Sequence, residues 1–346
     1  MAGDGYRVGV LGATGLVGTT ILELLAKRDF PVVELRPLAS ARSAGKQIEW
    51  GSKSLTVQEV SEETIQGLDL VLSSAGGSVS AEWTPKIVAA GATVVDNTSY
   101  WRMHEDVPLV VAEVNPEALE GHKGIIANPN CSTMQMVVAL KPLHDAAGIE
   151  RLVISTYQAV SGTGKGAIDE LRAQARAVVG GYDVPPAQIY PHQIAFNALP
   201  QAGSFRDGDD HTDEERKLIN ETRKILGDAG IRVSATCIRV PVETGHSETV
   251  NVETREPLEP ARARELLTAA PGVAVVDDPA AGRYPMAIDA ADRDEVFVGR
   301  IRRDPGNEKA IDMWVVSDNL RKGAATNAVQ VAELLIERGL LAVRRM

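Results

Sequence analysis

The stretch Tyr6-Arg7-Val8-Gly9-Val10-Leu11-Gly12-Ala13-Thr14-Gly15-Leu16-Val17-Gly18 decides the fold. An apolar run ends in a glycine-rich turn, and Ile21, Leu22, Leu24 and Leu25 follow at helical spacing. Strand, glycine turn and helix in this order make a cradle for a pyrophosphate. The glycines let the backbone come close, and the helix N-terminus offers N–H groups and a favourable dipole. The spacing of Gly9, Gly12, Gly15 and Gly18 is GxxGxxG rather than GxGxxG. The same residues also suit a tight turn that packs a helix closely on a strand.

Further strands are expected at Val32 to Ala39, Leu68 to Ser73 and Thr93 to Asp96, with a helix from about Ser80 to Ala90. The alternation predicts an α/β, Rossmann-type dinucleotide-binding domain over 1–130. A 2'-hydroxyl of ribose is usually met by Asp or Glu after the second strand, but this chain has Ser40-Ala41-Arg42-Ser43. A guanidinium and hydroxyls suit a 2'-phosphate, so NADP is the expected cofactor, held by Arg42 and Ser43.

Beyond residue 130 the texture changes. Leu152 to Val160, Arg232 to Val242 and Val250 to Arg255 read as strands, with helices at about 166–179, 212–226 and 260–270. They predict an α+β second domain over 131–320 on a mostly antiparallel or mixed sheet. Arg321 to Arg338 reads as a helix with Ala325, Val329, Ala332 and Leu335 on one face, and residues 321–346 are expected to return to the nucleotide domain.

With 346 residues, the chain is long enough for two cores. A net charge of -11 argues against a nucleic-acid or anionic-membrane surface. Two cysteines make no disulfide framework, and no Cys/His cluster has metal-ligand spacing. Met1-Ala2-Gly3-Asp4-Gly5-Tyr6 shows no basic segment leading an apolar one, and no apolar stretch has membrane-spanning length, so a cytoplasmic protein is expected.

The chemistry points to Ile125-Ile126-Ala127-Asn128-Pro129-Asn130-Cys131-Ser132-Thr133, where an apolar strand gives way to a helix expected over Thr133 to Ala146. A cysteine at a helix N-terminus is drawn toward the thiolate, and the adjacent N–H groups, with the Asn130 amide, suit an oxyanion. A small buried hydrophobe is the alternative role for Cys131. Cys237, in an alternating strand, reads as structural. His246 follows a glycine between two strands and is one imidazole among six that are available to act with a thiol.

Gly12-Ala13-Thr14-Gly15, Asn128 to Thr133, Tyr157-Gln158-Ala159-Val160-Ser161-Gly162, Arg239-Val240-Pro241 with Gly245-His246, and Ser317 to Ala324 together resemble the aspartate-β-semialdehyde dehydrogenases. The resemblance runs from residue 6 to 338 and is nearest the branch common in Gram-positive bacteria and actinobacteria. It implies reversible reduction of β-aspartyl phosphate to L-aspartate 4-semialdehyde with NADPH, on the route to lysine, methionine, threonine and diaminopimelate. It implies Cys131 as nucleophile, His246 as acid/base and Gln158 as the group that orients substrate.

On the same resemblance Arg239 takes the substrate α-carboxylate, Glu214 the substrate amine, and Arg102, Lys217 and Asn130 the phosphate. The cofactor falls to Gly12, Thr14, Gly15, Leu16 and Val17, with Ser161, Gly162 and Asn319 toward the nicotinamide. A homodimer is implied, with the second-domain sheet as its interface. On the residues alone, Glu214 and Lys217 also read as an ion pair on a helix that Thr212 and Glu215 cap.

The rival enzymes are N-acetyl-γ-glutamyl-phosphate reductase, disfavoured because Glu214 suits a free amine, and a phosphorylating glyceraldehyde-type dehydrogenase, whose cysteine segment differs. A nucleotide-sensing protein without turnover is the non-enzymatic rival, and it has no use for the thiol, imidazole and cations.

Overall fold

The computed structural model describes residues 5–341. Residues 1–4, on which the expected lack of a signal segment rests in part, and residues 342–346 of the expected C-terminal return lie outside them. The chain divides into two units, one running through Asn130 and resuming at Ala324, the other Cys131–Gly323. The return therefore begins three residues later than the sequence suggests.

In the first unit the chain runs β1 (Tyr6–Leu11), α1 (Leu16–Lys27), β2 (Val32–Ala39), β3 (Gln47–Trp50), β4 (Lys53–Thr56), β5 (Gln58–Glu59), β6 (Leu70–Ser73), α2 (Gly77–Ala89), β7 (Thr93–Asp96) and β8 (Ile125–Ala127). Six strands form one parallel sheet in the order β5-β2-β1-β6-β7-β8, while β3 and β4 make a separate antiparallel hairpin. The central strands are apolar runs because both faces are covered. Val8, Val10, Leu70, Leu72 and Val95 join one core, and Leu11, Val71 and Val94 join the other. The strand order reverses between β1 and β6, so the Gly12 turn stands at the carboxyl edge of the sheet where such folds open a ligand crevice.

The second unit runs α3 (Cys131–Ala147), β9 (Ile149–Gln158), α4 (Lys165–Gly180), α5 (Asp213–Leu226), β10 (Arg232–Arg239), β11 (His246–Thr254), α6 (Pro260–Ala269), β12 (Val273–Val275), α7 (Ala287–Ala290), β13 (Val296–Asp304) and β14 (Asn307–Ser317). Its six-stranded sheet has the order β10-β9-β11-β14-β13-β12 and mixes parallel with antiparallel pairs. Thr212 and Glu215 form the expected capping box on α5. The chain closes with a π-helical turn, Arg321–Ala325, and α8 (Thr326–Glu337), whose Ala328, Val329, Ala332 and Leu335 join the first unit's core.

Several expected boundaries move, and three bear on the site. Cys131, not Thr133, is the first residue of α3, β11 begins at His246 rather than Val250, and the uniform helix from Arg321 becomes a π-turn followed by an α-helix. π-turns are local insertions that a 3.6-residue period does not reveal.

Candidate active site

The second sheet sets the site by register. Arg239 pairs with Gln158 across β10 and β9, His246 pairs with Ser317 across β11 and β14, and Ser247 lies opposite Tyr157. The next antiparallel step from Ser247 and Tyr157 puts His246 beside Gln158. Arg239, Gln158 and His246 thus form one buried row at the end of the sheet.

Ala159, the residue that follows β9, clamps this row. Its N–H donates to His246 Nδ1 at 3.0 Å, and its carbonyl accepts from Arg239 Nη1 at 2.8 Å. Since Nδ1 is an acceptor, the imidazole carries its proton on Nε2. Burial, with Arg239 adding to it and Glu214 opposing, draws the His246 pKa down to about 3, so the ring is neutral. Nε2 is buried without a partner, as is Arg239 Nε. The two side chains border the position of Gly162, where a Cβ would meet His246 Nε2 and Arg239 Nη1 at 3.3 Å each.

Gln158 Nε2 donates to Glu214 Oε1 at 3.3 Å, and Lys217 Nζ reaches Glu214 Oε2 at 2.9 Å and Asp213 at 3.1 Å. Burial opposes the Lys217 charge, but the two carboxylates raise its pKa above the usual value. The ion pair read from the helix spacing is therefore present, and the expected amine and phosphate ligands are bonded to each other. Glu243, left out of the sequence-derived site, pairs at the surface with Arg172.

Cys131 heads α3 and is partly exposed, whereas Cys237 is buried and its thiol pushed far up by desolvation. Gln135 lies one turn below Cys131 on the same helix face, and its Nε2 donates to the His246 carbonyl at 3.3 Å. This contact seats the Cys131 end of α3 on the histidine end of β11. Gly323 leaves Cys131 its space. A Cβ there would stand 2.9 Å from Cys131 Cβ. Gly323→Ala is expected to displace the thiol and lower kcat about 10-fold, on the scale by which ångström misplacements of reacting groups act. Parallel assays of turnover and of Cys131 alkylation by iodoacetamide check this, and unchanged values in both would remove the argument.

Ser161 and Asn319 are bonded to each other, Asn319 Nδ2 to Ser161 Oγ at 2.9 Å, and Asn319 Oδ1 also accepts from Gly245 N–H at 2.9 Å. They brace the loop before His246.

In the first unit, Arg102 is buried and donates through Nε to the Asn128 carbonyl at 2.9 Å and through Nη2 to the Asn97 carbonyl at 2.8 Å. Asn128 is a tie rather than a reactant, bonded to Asn97, Ala324 and Asn327. Asn130 is buried, the last residue before α3. Gly12 has φ +87°, and a Cβ there would meet the Ser74 carbonyl oxygen at 2.7 Å. Thr14 and Gly15 are exposed, Leu16 and Val17 partly so, and Gly15 caps α1 without a side-chain bond. Arg42 is exposed and Ser43 buried in the short helical turn after β2.

Residues 7–122 match the family described as "Semialdehyde dehydrogenase, NAD binding domain", and 140–322 match "Semialdehyde dehydrogenase, dimerisation domain". The aspartate-semialdehyde dehydrogenase of Aquifex aeolicus is 56% identical over 340 residues, covering 97% of this chain and 100% of that protein. The chain belongs to the aspartate-semialdehyde dehydrogenase family. Aspartate-semialdehyde dehydrogenase II from Vibrio cholerae, solved in complex with ASA, superposes with a TM-score of 0.93 at 47% identity, covering 96% of this chain and 99% of that one. The Candida albicans family member solved with NADP has a TM-score of 0.73 at 28% identity, covering 97% of this chain and 100% of that one.

Among the described residues no His, Cys, Asp and Glu group is placed to hold a metal, and no helix is long and apolar enough to cross a membrane. Sequence reasoning toward the family missed Ala159 and Tyr190. The Tyr190 ring lies under the Arg239 guanidinium, 5.9 Å from centroid to Cζ. Ala159 acts through its backbone, which leaves no mark in residue type, and Tyr190 lies on a long irregular segment.

Proposed function

We propose that the chain catalyses the reversible, NADP-dependent reductive dephosphorylation of L-4-aspartyl phosphate to L-aspartate 4-semialdehyde through an acyl-thioester on Cys131. The observation that carries this reading is the row of Arg239, Gln158 and His246, clamped by Ala159 beside the end of α3 that Cys131 begins. The reaction serves amino-acid biosynthesis toward lysine, methionine, threonine and diaminopimelate. We place it in the cytoplasm and in a homodimer built on residues 140–322, the region that matches the dimerisation domain.

The thiolate attacks the acyl phosphate, phosphate leaves, and the thioester forms. When bound, NADPH supplies the hydride that converts this thioester to a thiohemiacetal oxyanion, and NADP accepts it in the reverse sense. Collapse of the oxyanion releases aldehyde and thiolate, so the cycle needs no net proton at sulfur. The neutral His246 with its proton on Nε2 fits that balance. It serves as a hydrogen-bond donor to the oxyanion rather than as the base expected from the family motif.

The Arg239 edge that holds the unpartnered Nε offers a carboxylate a planar, charge-assisted partner. Glu214 accepts the substrate ammonium and Lys217, with Arg102 and Asn130, the phosphate, each in exchange for its present partner. The cofactor fits the first unit. Gly12 removes the Cβ that would fill the turn, and Gly15 leaves the N-terminus of α1 open for the pyrophosphate. Thr14, Leu16 and Val17 flank it, and Arg42 with Ser43 takes the 2'-phosphate.

Arg42→Ala is expected to weaken NADP by about 1.5–3 kcal/mol, roughly 10–100-fold, and to leave NAD unchanged. Equal loss for both, measured by titration, would remove this account of the 2'-phosphate. The function itself is tested by NADPH formation from L-aspartate 4-semialdehyde with and without phosphate. Phosphate-dependent turnover supports it. A folded, NADP-binding protein without turnover moves the reading to the N-acetyl-γ-glutamyl substrate, and failure there leaves a nucleotide sensor.

A further inference from the structure

One row below Arg239, Gln158 and His246, the same face of the sheet carries Cys237, Thr156 and Glu248, with Cys237 opposite Thr156 and Thr156 opposite Glu248. Glu248 is wholly buried, two residues beyond His246, and its carboxyl lies beside Gln135 and Ser132 in the first turns of α3. Both Glu248 oxygens and Gln135 Oε1 lack a donor, while Gln135 Nε2 holds the His246 carbonyl. A proton on the carboxyl turns one of its oxygens into a donor for Gln135 Oε1 and leaves the other as a neutral carbonyl acceptor.

We propose that Glu248 is a positioning residue that stands as a neutral carboxylic acid and donates to Gln135 Oε1. It thereby fixes the amide that ties the His246 end of β11 to the nucleophile helix α3. The inference rests on the reading of Cys131 and His246 as the reacting pair.

Two physical arguments support it. A carboxylate at this depth loses its hydration, and desolvation outweighs the opposing side chains of Gln135 and Ser132 and pushes Glu248 well above the ordinary carboxyl range. A neutral acid also spares the Cys131 thiolate a negative charge from the layer beneath it. The other titratable groups facing this layer are Cys237 on β10, His246 on the same strand, Cys131 at the head of α3, and Glu214 and Glu215 on α5. The register partners on the adjoining strands, Thr156 and Val315, do not titrate.

The test compares Glu248→Gln, which keeps a donor of the same shape, with Glu248→Met, which fills the volume without one. For L-aspartate 4-semialdehyde, the Gln variant is expected to keep kcat within about twofold of the parent. The Met variant is expected to lose about 10-fold in kcat at unchanged KM, the size of effect that small displacements of reacting groups produce. A Gln variant as impaired as the Met variant, or a Met variant equal to the parent, overturns the proposal.

A second readout does not need turnover. Protonated when folded and ionised when unfolded above its ordinary pKa, Glu248 makes the parent lose stability as pH rises from 5 to 8, whereas glutamine does not. The Tm of Glu248→Gln minus that of the parent is therefore expected to grow over that interval, and a constant difference overturns the neutral acid. If the parent shows no turnover, the functional reading fails on its own, and this thermal comparison still decides the protonation state of Glu248.

Discussion

Cys131→Ser is expected to fold like the parent, bind NADP normally and lose phosphate-dependent NADPH formation by on the order of 10^4-fold or more, the scale on which removal of a covalent nucleophile acts. The argument is one of ionisation and place. Cys131 is partly exposed at the first position of α3, where the helix dipole favours an anion. A serine hydroxyl in that position stays protonated at neutral pH, and the neutral His246, whose Nε2 already carries hydrogen, is not arranged to remove its proton.

Cys237 does not substitute, because it is buried and burial holds its thiol protonated. The check is steady-state turnover together with mass-spectrometric mapping of the iodoacetamide-labelled thiol. Residual turnover above a hundredth of the parent's, or labelling at Cys237 in the folded parent, would place the nucleophile elsewhere.

The second large effect is expected at His246. His246→Asn presents Oδ1 where the imidazole has Nδ1, so the Ala159 N–H keeps an acceptor and the clamp on Arg239 stays in place. What it removes is the Nε2 donor. Loss of such a group is expected to lower kcat by about 10^2–10^4-fold, with KM for the aldehyde changed little.

The parent's pH profile carries the same argument. A His246 pKa drawn down to about 3 keeps the ring neutral throughout the working range. Protonation, and with it loss of the Ala159 bond to Nδ1, is confined to pH values near and below 3. Activity measured from pH 5 to 8 should therefore show no acid limb near 6.5 that disappears in His246→Asn. Such a limb would mean that the histidine works as a titrating base and would overturn the tautomer assigned here.

The first unit was largely legible in the residues. Val8, Val10, Val71 and Val94 lie in apolar runs because the parallel sheet is covered on both faces, and Gly12 marks the turn by its positive φ. The β13–β14 hairpin was not foreseen, although it supplies two of the six strands of the second sheet. Its period-2 pattern is broken at Arg300, with φ +52°, and by a register shift between Gly299 and Arg302. In β14, Val315, Val316 and Ser317 are buried in succession, which hides the alternation again.

For the candidate site, residue types were readable and their states were not. Lysine, glutamate, histidine and arginine could be picked out by motif. The Lys217 pair with Glu214 is the exception, readable because the two stand three apart on one helix, whereas the neutrality of His246 and the nitrogen that bears its hydrogen depend on partners distant in the chain. Glu248 is the extreme case, since an acidic residue in a strand reads as a solvent-facing position until the register turns it inward beneath His246.

Ala159 takes the imidazole with its N–H and the guanidinium with its carbonyl, so the two groups to which the proposed function gives opposite ends of the substrate share a single residue as anchor. Neither can slide without dragging the other. Nε2 and Nη1 are no farther apart than twice the 3.3 Å that separates each from the Gly162 Cβ position. That span works as a fixed gauge of chain length. On the proposed function, an acyl chain longer by one methylene has to buckle or give up one grip, which would set discrimination between homologous acids in the backbone.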